Sequence, residues 1–238
     1  MKNFIIGAIV FLFIFSACKQ EDYSNFELKT ELDTVTYLIA TDFATQLHKG
    51  GGMDSISEGA MLKAFSDVFN EKEIEFERNE INQILTGFFR ENEIRKLEEK
   101  FADNKIAGEK FLEENKTKEG VITLPSGLQY QVITEGKGPH PAPEDKVTVH
   151  YTGSTIDGTV FESTLDKGEP ATFGVSQVIK GWTEALQLMK PGSKWKLFIP
   201  QEIAYGTYPR AGGPIKPYEA LVFEVELISI EPAEEVKE

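Results

Sequence analysis

The sequence predicts an α+β protein: a helical amino-terminal arm, then an antiparallel β-sheet curled around one short helix. Two changes of pattern lead to that class. Apolar residues recur every three or four positions from Leu32 to Leu112, and every second position in segments from Leu128 to Leu227. A third observation is an apolar run, Phe4 to Phe15, that stands ahead of both.

That run follows Met1-Lys2-Asn3 and is followed by Ser16-Ala17-Cys18. A basic start, an apolar middle and small residues before a cut site are the layout of a secretory signal. The run falls short of the roughly twenty residues that span a bilayer. Phe15-Ser16-Ala17-Cys18 resembles the bacterial lipobox. That resemblance implies cleavage before Cys18 and acylation of its thiol and new amino terminus. Two or more acyl chains make a stable tether. Residues 1–17 are therefore assigned to a lipoprotein signal peptide and 18–25 to a short polar tether. A plain cleaved signal or an uncleaved anchor is the alternative.

Residues 26–119 form the helical arm. Leu32, Val35, Leu38, Ile39, Phe43 and Leu47 fall on one helix face, and Gly50-Gly51-Gly52 ends that helix. Ser55 with Glu58 three residues later is a capping-box signature for a second helix carrying Ala60, Met61, Ala64, Phe65, Val68 and Phe69. A third begins near Asn79 with Ile81, Ile84, Leu85, Phe88 and Phe89, and helical character persists through Phe111 toward Lys118. If continuous it spans about 40–60 Å. Little in the arm covers the apolar faces of the first two helices, so the arm is expected to dimerise.

Composition narrows the function. The chain of 238 residues carries a net charge of −14, with acid in excess in both halves, which excludes a nucleic acid held through its phosphates. One cysteine permits neither an internal disulfide nor a thiolate metal cluster, and His48, His140 and His150 match no zinc spacing. No cofactor or metal is expected.

Residues 120–232 change to period two. Leu128, Tyr130 and Val132 alternate with glutamines; Val147, Val149 and Tyr151 alternate with Thr148 and His150. Asp157-Gly158 marks a tight hairpin. Trp195, Leu197 and Ile199 follow the turn Lys190-Pro191-Gly192, and Leu221, Phe223, Val225 and Leu227 form the last strand. One short helix is expected over Gly181 to Met189. Residues 233–238 are an acidic tail.

Five blocks in this half are diagnostic together: Val147–Gly153 (VTVHYTG), Val160–Ser163 (VFES), Gln177–Ala185 (QVIKGWTEA), Ile199–Gly206 (IPQEIAYG) and Leu221–Leu227 (LVFEVEL). In order and spacing they resemble the FKBP-type peptidyl-prolyl cis-trans isomerases. Ala107–Leu112 through Leu124–Tyr130 is similar to the arm-to-domain junction of the Mip-like bacterial envelope subfamily. The resemblance implies an FKBP-like fold, a homodimer, a bacterial envelope location and proline-containing unfolded or partly folded polypeptides as substrates. It also implies macrolide inhibitor binding in the pocket.

The resemblance assigns the pocket residue by residue. Trp182 is the floor under the proline ring; Tyr151, Phe161, Phe173 and Phe223 are walls; Val178 and Ile179 form a rim. The Tyr205 hydroxyl and the Ile179 N–H are donors to substrate carbonyls. Glu162 stands where the family usually has Asp, one methylene longer. Pro214 and Ile215 belong to a Gly- and Pro-rich loop, residues 207–216, that overhangs the pocket and suits a role in substrate preference. A second reading, kept open by Glu162, is a chaperone module that binds proline peptides with low turnover on a dimeric lipoprotein.

The leader supplies a first testable outcome. Mass spectrometry of the mature protein from its native host should find a chain starting at a lipidated Cys18; an unmodified Cys18 or a retained Met1 contradicts the anchor.

Overall fold

The computed structural model describes residues 25–50 and 52–233. The signal expected at residues 1–17, the Cys18 anchor with all but the last residue of its tether, and all but the first residue of the 233–238 tail lie outside the described residues. The chain divides into two compact units, Met1–Ser57 and Glu58–Glu238.

The first unit is built on helix α1, Glu31–Thr45, extended by a π-turn over Gln46–Gly50. Its capping box is Thr30 with Asp33: the Thr30 hydroxyl accepts from the Asp33 N–H at 3.1 Å, and the Asp33 carboxylate accepts from the Thr30 N–H at 2.8 Å. An aspartate at the third helical position performs the job usually sought from Glu or Gln, so the signature is easily passed over. Gly52, at φ +64°, takes the left-handed turn that ends the segment. Leu32 is 74% exposed and Ile39 64% exposed.

The second unit opens with α2, Glu58–Phe69. Glu58 is its first residue and not its third, so Ser55 lies upstream of the N-cap position and the capping box expected there does not form. Helix α3, Arg78–Lys100, is followed by α4, Ala102–Asn115. The long helix expected from Asn79 is therefore broken at Phe101, whose backbone (φ −116°, ψ 22°) closes one helix and opens the next. Phe65, Phe69, Ile84, Leu85 and Phe88 are all exposed.

Seven antiparallel strands follow: β1 Val121–Thr123, β2 Gln129–Thr134, β3 Lys146–Thr155, β4 Val160–Ser163, β5 Ala171–Gly174, β6 Lys194–Ile199 and β7 Leu221–Glu231. A four-residue helix, α5 (Thr164–Lys167), follows β4, and α6 (Lys180–Leu186) precedes β6. The sheet order is β1-β2-β6-β7-β3-β4, with β5 also paired to β3. Strand β3 thus lies between β7 on one side and both β4 and β5 on the other. The Asp157-Gly158 turn joins β3 to β4, with Gly158 at φ +89°. The edge strand β1 and the short β5 carry too few residues to show a period.

Helix α6 fills the concave face. Trp182, Ala185 and Leu186 pack with Val147, Val149 and Tyr151 of β3, Leu197 and Ile199 of β6, and Leu221, Phe223 and Val225 of β7. Each large side chain buried this way stabilises by about 1.5–3 kcal/mol. The close approach needs Gly181, where a Cβ would lie 2.6 Å from Ile199 Cγ2. On the opposite face, alternation alone predicts exposed side chains, yet Phe198 and Val222 are buried. Helix α4 is the reason. Its Phe111 ring stands 6.0 Å from that of Phe198, and Gly108 lies against Ala220. Asn115, fully buried, donates to the Gln129 side-chain oxygen at 2.9 Å, and Gln129 donates to the Leu112 carbonyl at 2.8 Å. These bonds satisfy both amides, as burial requires.

Candidate active site

Where α6 meets β3, β4, β5 and β7, the side chains enclose a cavity of about 400 Å³. Its centre is Trp182, first turn of α6, whose indole is nearly perpendicular to three neighbouring rings. The centroid distances are 5.0 Å to Tyr151, 5.4 Å to Phe223 and 5.9 Å to Phe173. Edge-to-face packing at these distances adds about 0.5–1.5 kcal/mol per pair beyond burial. Phe161 continues the cluster, 5.6 Å from Phe223 and again edge to face. Three strands and a helix thus each contribute a ring, with Phe173 added from β5.

Strand geometry explains the convergence. Tyr151 and Gly153 point to the same side of β3 by the two-residue period. At Gly153 a Cβ would lie 2.5 Å from the Phe161 ring and 2.7 Å from Phe223, so only glycine lets these rings meet there. Thr164 locks Tyr151 in place: its hydroxyl accepts from the Tyr151 N–H at 2.8 Å and donates to the Tyr151 carbonyl at 3.2 Å. Val178 and Ile179 line the cavity from the segment joining the 3-10 turn Val175–Gln177 to α6. The Ile179 carbonyl accepts the first amides of α6, from Trp182 at 2.9 Å and Thr183 at 3.0 Å.

Two polar side chains complete the lining, Glu162 and Tyr205, together with Gln177. Lys167 donates to Glu162 at 2.8 Å. That ammonium, the main cause, holds the Glu162 carboxyl below its ordinary value of 4.5, with the Tyr151 hydroxyl and Arg210 adding to the effect against partial burial. Burial pushes the Tyr205 phenol up, and the Glu162 charge adds to it. Burial does the same to Tyr151, reinforced by Glu162. Both phenols therefore stay protonated through neutral pH. The lining holds no Ser, Cys or His among the described residues, hence no nucleophile and base pair.

All nine pocket residues singled out in the sequence line this one cavity. Gln177, Lys167 and Arg210 were not singled out. Gln177 sits inside a recognisable block, but nothing local marks Lys167 or Arg210 as neighbours of Glu162. A second cavity, about 500 Å³, shares Phe161, Glu162 and Tyr205 with the first and is otherwise lined by Arg210 to Ile215. Loop 207–216 thus borders a continuation of the aromatic site, with Pro214 and Ile215 in its lining.

Residues 138–228 match the family described as FKBP-type peptidyl-prolyl cis-trans isomerase, and residues 32–132 match the domain amino-terminal to it. Outer membrane protein MIP of Legionella longbeachae is 42% identical over 96% of this chain and 97% of that protein. The FKBP-type 22 kDa peptidyl-prolyl cis-trans isomerase of Escherichia coli K12 is 43% identical over 82% of this chain and 93% of its own. The crystal structure of FkpA from Escherichia coli superposes with a TM-score of 0.55 at 34% identity, covering 87% of this chain and 100% of that one.

The Lys167 contact makes a prediction about titration. In Lys167→Ala the Glu162 midpoint should rise toward 4.5, read by carbon-detected NMR. The sign follows from linkage: the pair's contribution is present above the ordinary carboxylate value and is lost as pH falls through the lower folded midpoint. An unmoved midpoint would show that another contact sets it.

Proposed function

Because the chain belongs to the FKBP-type peptidyl-prolyl cis-trans isomerases and has that enzyme activity, we propose that turnover occurs in the aromatic cavity, without a covalent step. The observation that carries this reading is a single cavity lined by six aromatic rings, two of them protonated phenols. The barrier to rotation about an amide is about 18–20 kcal/mol, from lost resonance. Twisting the bond shrinks the carbonyl dipole, so an apolar, water-poor site favours the twisted state over the planar one. Each 1.36 kcal/mol or so of that preference is tenfold in rate.

In this reading Trp182 lies under the proline ring, with Tyr151, Phe161, Phe173 and Phe223 as walls and Val178 and Ile179 as rim. Tyr205 donates its hydroxyl to a substrate carbonyl, and the Ile179 N–H donates to another. Glu162, held ionised by Lys167, orients the Tyr151 hydroxyl and presents negative charge beside the twisting carbonyl. Loop 207–216 grips chain flanking the proline, through Pro214 and Ile215. Residues 120–232 thus carry the chemistry, while residues 26–119 serve association.

The substrates are proline-containing unfolded or partly folded polypeptides, since slow X–Pro isomerisation limits folding. The place of action is the bacterial cell envelope, with Cys18 as lipid anchor. The leader at residues 1–17, followed by Cys18, and the similarity to an outer membrane protein support this. The arm forms a homodimer. The support is the run of exposed apolar side chains, Leu32, Ile39 and Phe43 in the first unit and Phe65, Val68 and Phe69 in the second, which water alone covers in one chain.

Two measurements test these readings. Tyr205→Phe deletes one hydroxyl and keeps the ring. A neutral hydrogen bond is worth about 0.5–1.5 kcal/mol net, so kcat/KM for an X–Pro peptide should fall about 2- to 13-fold. An unchanged rate removes Tyr205 from the mechanism. Light scattering on soluble residues 19–238 should give twice the chain mass at micromolar concentration; a monomer there contradicts the dimer.

A further inference from the structure

Helix α4 reaches the pocket loop from behind. Its contact face runs Asn104, Gly108, Phe111, Leu112 and Asn115, one stripe of a 3.6-residue period. Phe111, Leu112 and Asn115 are fastened to β2 and β6, as described above. The amino-terminal half of the stripe goes elsewhere. Asn104 donates to the Pro217 carbonyl at 3.0 Å, and a Cβ built on Gly108 would lie 3.0 Å from the Ala220 Cβ.

Pro217 to Ala220 is the downstream foot of loop 207–216. Between them stands Tyr218, almost fully buried, at φ +63°. A left-handed conformation at a bulky residue persists only where its surroundings determine it. Here its N–H donates to the Gly206 carbonyl at 2.9 Å, and its hydroxyl meets the Thr207 hydroxyl at 3.1 Å. Tyr218 therefore ties the two feet of the loop together, and α4 seats that tied base from the far side.

We infer that α4 is part of the substrate-binding apparatus: Asn104 and Gly108 are positioning residues that set where loop 207–216 sits. They thereby set how strongly the enzyme holds polypeptide extending beyond the proline. The inference rests on the reading that this loop grips flanking chain. Its consequence is selective. A short peptide confined to the aromatic cavity does not feel α4, and a longer one crossing the second cavity does.

The test compares two peptides sharing one X–Pro bond, of about four and about ten residues at about 3.3 Å per residue extended. Both are assayed with the full chain. Gly108→Ala improves helix propensity, so any loss comes from the contact with Ala220 and not from the helix. It should raise KM for the long peptide about 2- to 30-fold, the range of long-range couplings of this kind, and leave kcat/KM for the short one unchanged. Asn104→Ala should act alike. Adding Ala220→Gly to Gly108→Ala makes room for the new methyl and should restore the long-peptide KM. Ile215→Ala, in the loop itself, is the reference and should raise that KM too.

If Ile215→Ala raises it while the two α4 variants do not, α4 does not seat the loop, although the loop still grips substrate. If no variant distinguishes the peptides, the loop does not grip flanking chain, and both readings fall. Equal loss on both peptides without rescue by Ala220→Gly means general damage to the domain and overturns the inference.

Discussion

The perpendicular contact of Trp182 with Tyr151, Phe173 and Phe223 serves two purposes. On one side these rings close the hydrophobic core over Leu221, Val225 and Ile199. On the other they line the cavity. A core cannot be loosened at that point without spoiling the site, and the site cannot be widened without opening the core. The indole nitrogen has no hydrogen-bond partner within the protein, although it is buried. An unpaired buried donor costs about 1–3 kcal/mol.

An FKBP-type isomerase asks little of its side chains in the way of covalent chemistry. The substrate bond must twist in surroundings that prefer its less polar form, and the neighbouring carbonyls must be held. In the proposed site the lining supplies rings, two phenols and one carboxylate. Glu162 is the only formal charge among them, and it is partnered from outside by Lys167 on α5. That outer partner lets a side chain one methylene longer than aspartate be anchored without leaving an unpaired charge beside the rings. The site therefore combines an apolar centre with a single fixed negative charge at its margin.

The sheet is covered on both faces, by α6 on the concave side and α4 on the outer side. The two helices make the same demand on their sequence. Helix α6 needs Gly181 to approach β6, and α4 needs Gly108 to approach Ala220. In both places the helix backbone lies against a side chain of the sheet region, Ile199 or Ala220, and one added methyl must displace it. The arm-to-domain helix is consequently an outer layer of the isomerase unit as well as a connection to the arm. The break at Phe101 separates the part that packs on the sheet from α3, so the packing requirement of the sheet ends there.

Periodicity determined the helical-then-sheet order, the four longer strands and the inner helix, and the family resemblance pointed to nine of the ten residues that line the cavity. The elements rest on short-range periods; the resemblance rests on five contiguous blocks taken together, and Phe173 lies outside all of them. What the tertiary structure decided is where separate elements meet. The capping box of α1, Thr30 with Asp33, was not among the expectations, and the one expected for α2 at Ser55 and Glu58 does not form because that helix starts at Glu58. The long helix ended at Phe101, and Phe198 and Val222 became buried, because α4 folds back over a sheet face that alternation marks as outward. Lys167 reaches Glu162 across the turn from β4 into α5, Arg210 comes to it on a loop, and Asn104 bonds Pro217 far along the chain, none of which a local period reports. A period reports which face of an element is apolar; only the folded chain reports what lies against that face, because burial is a property of pairs of surfaces and not of one.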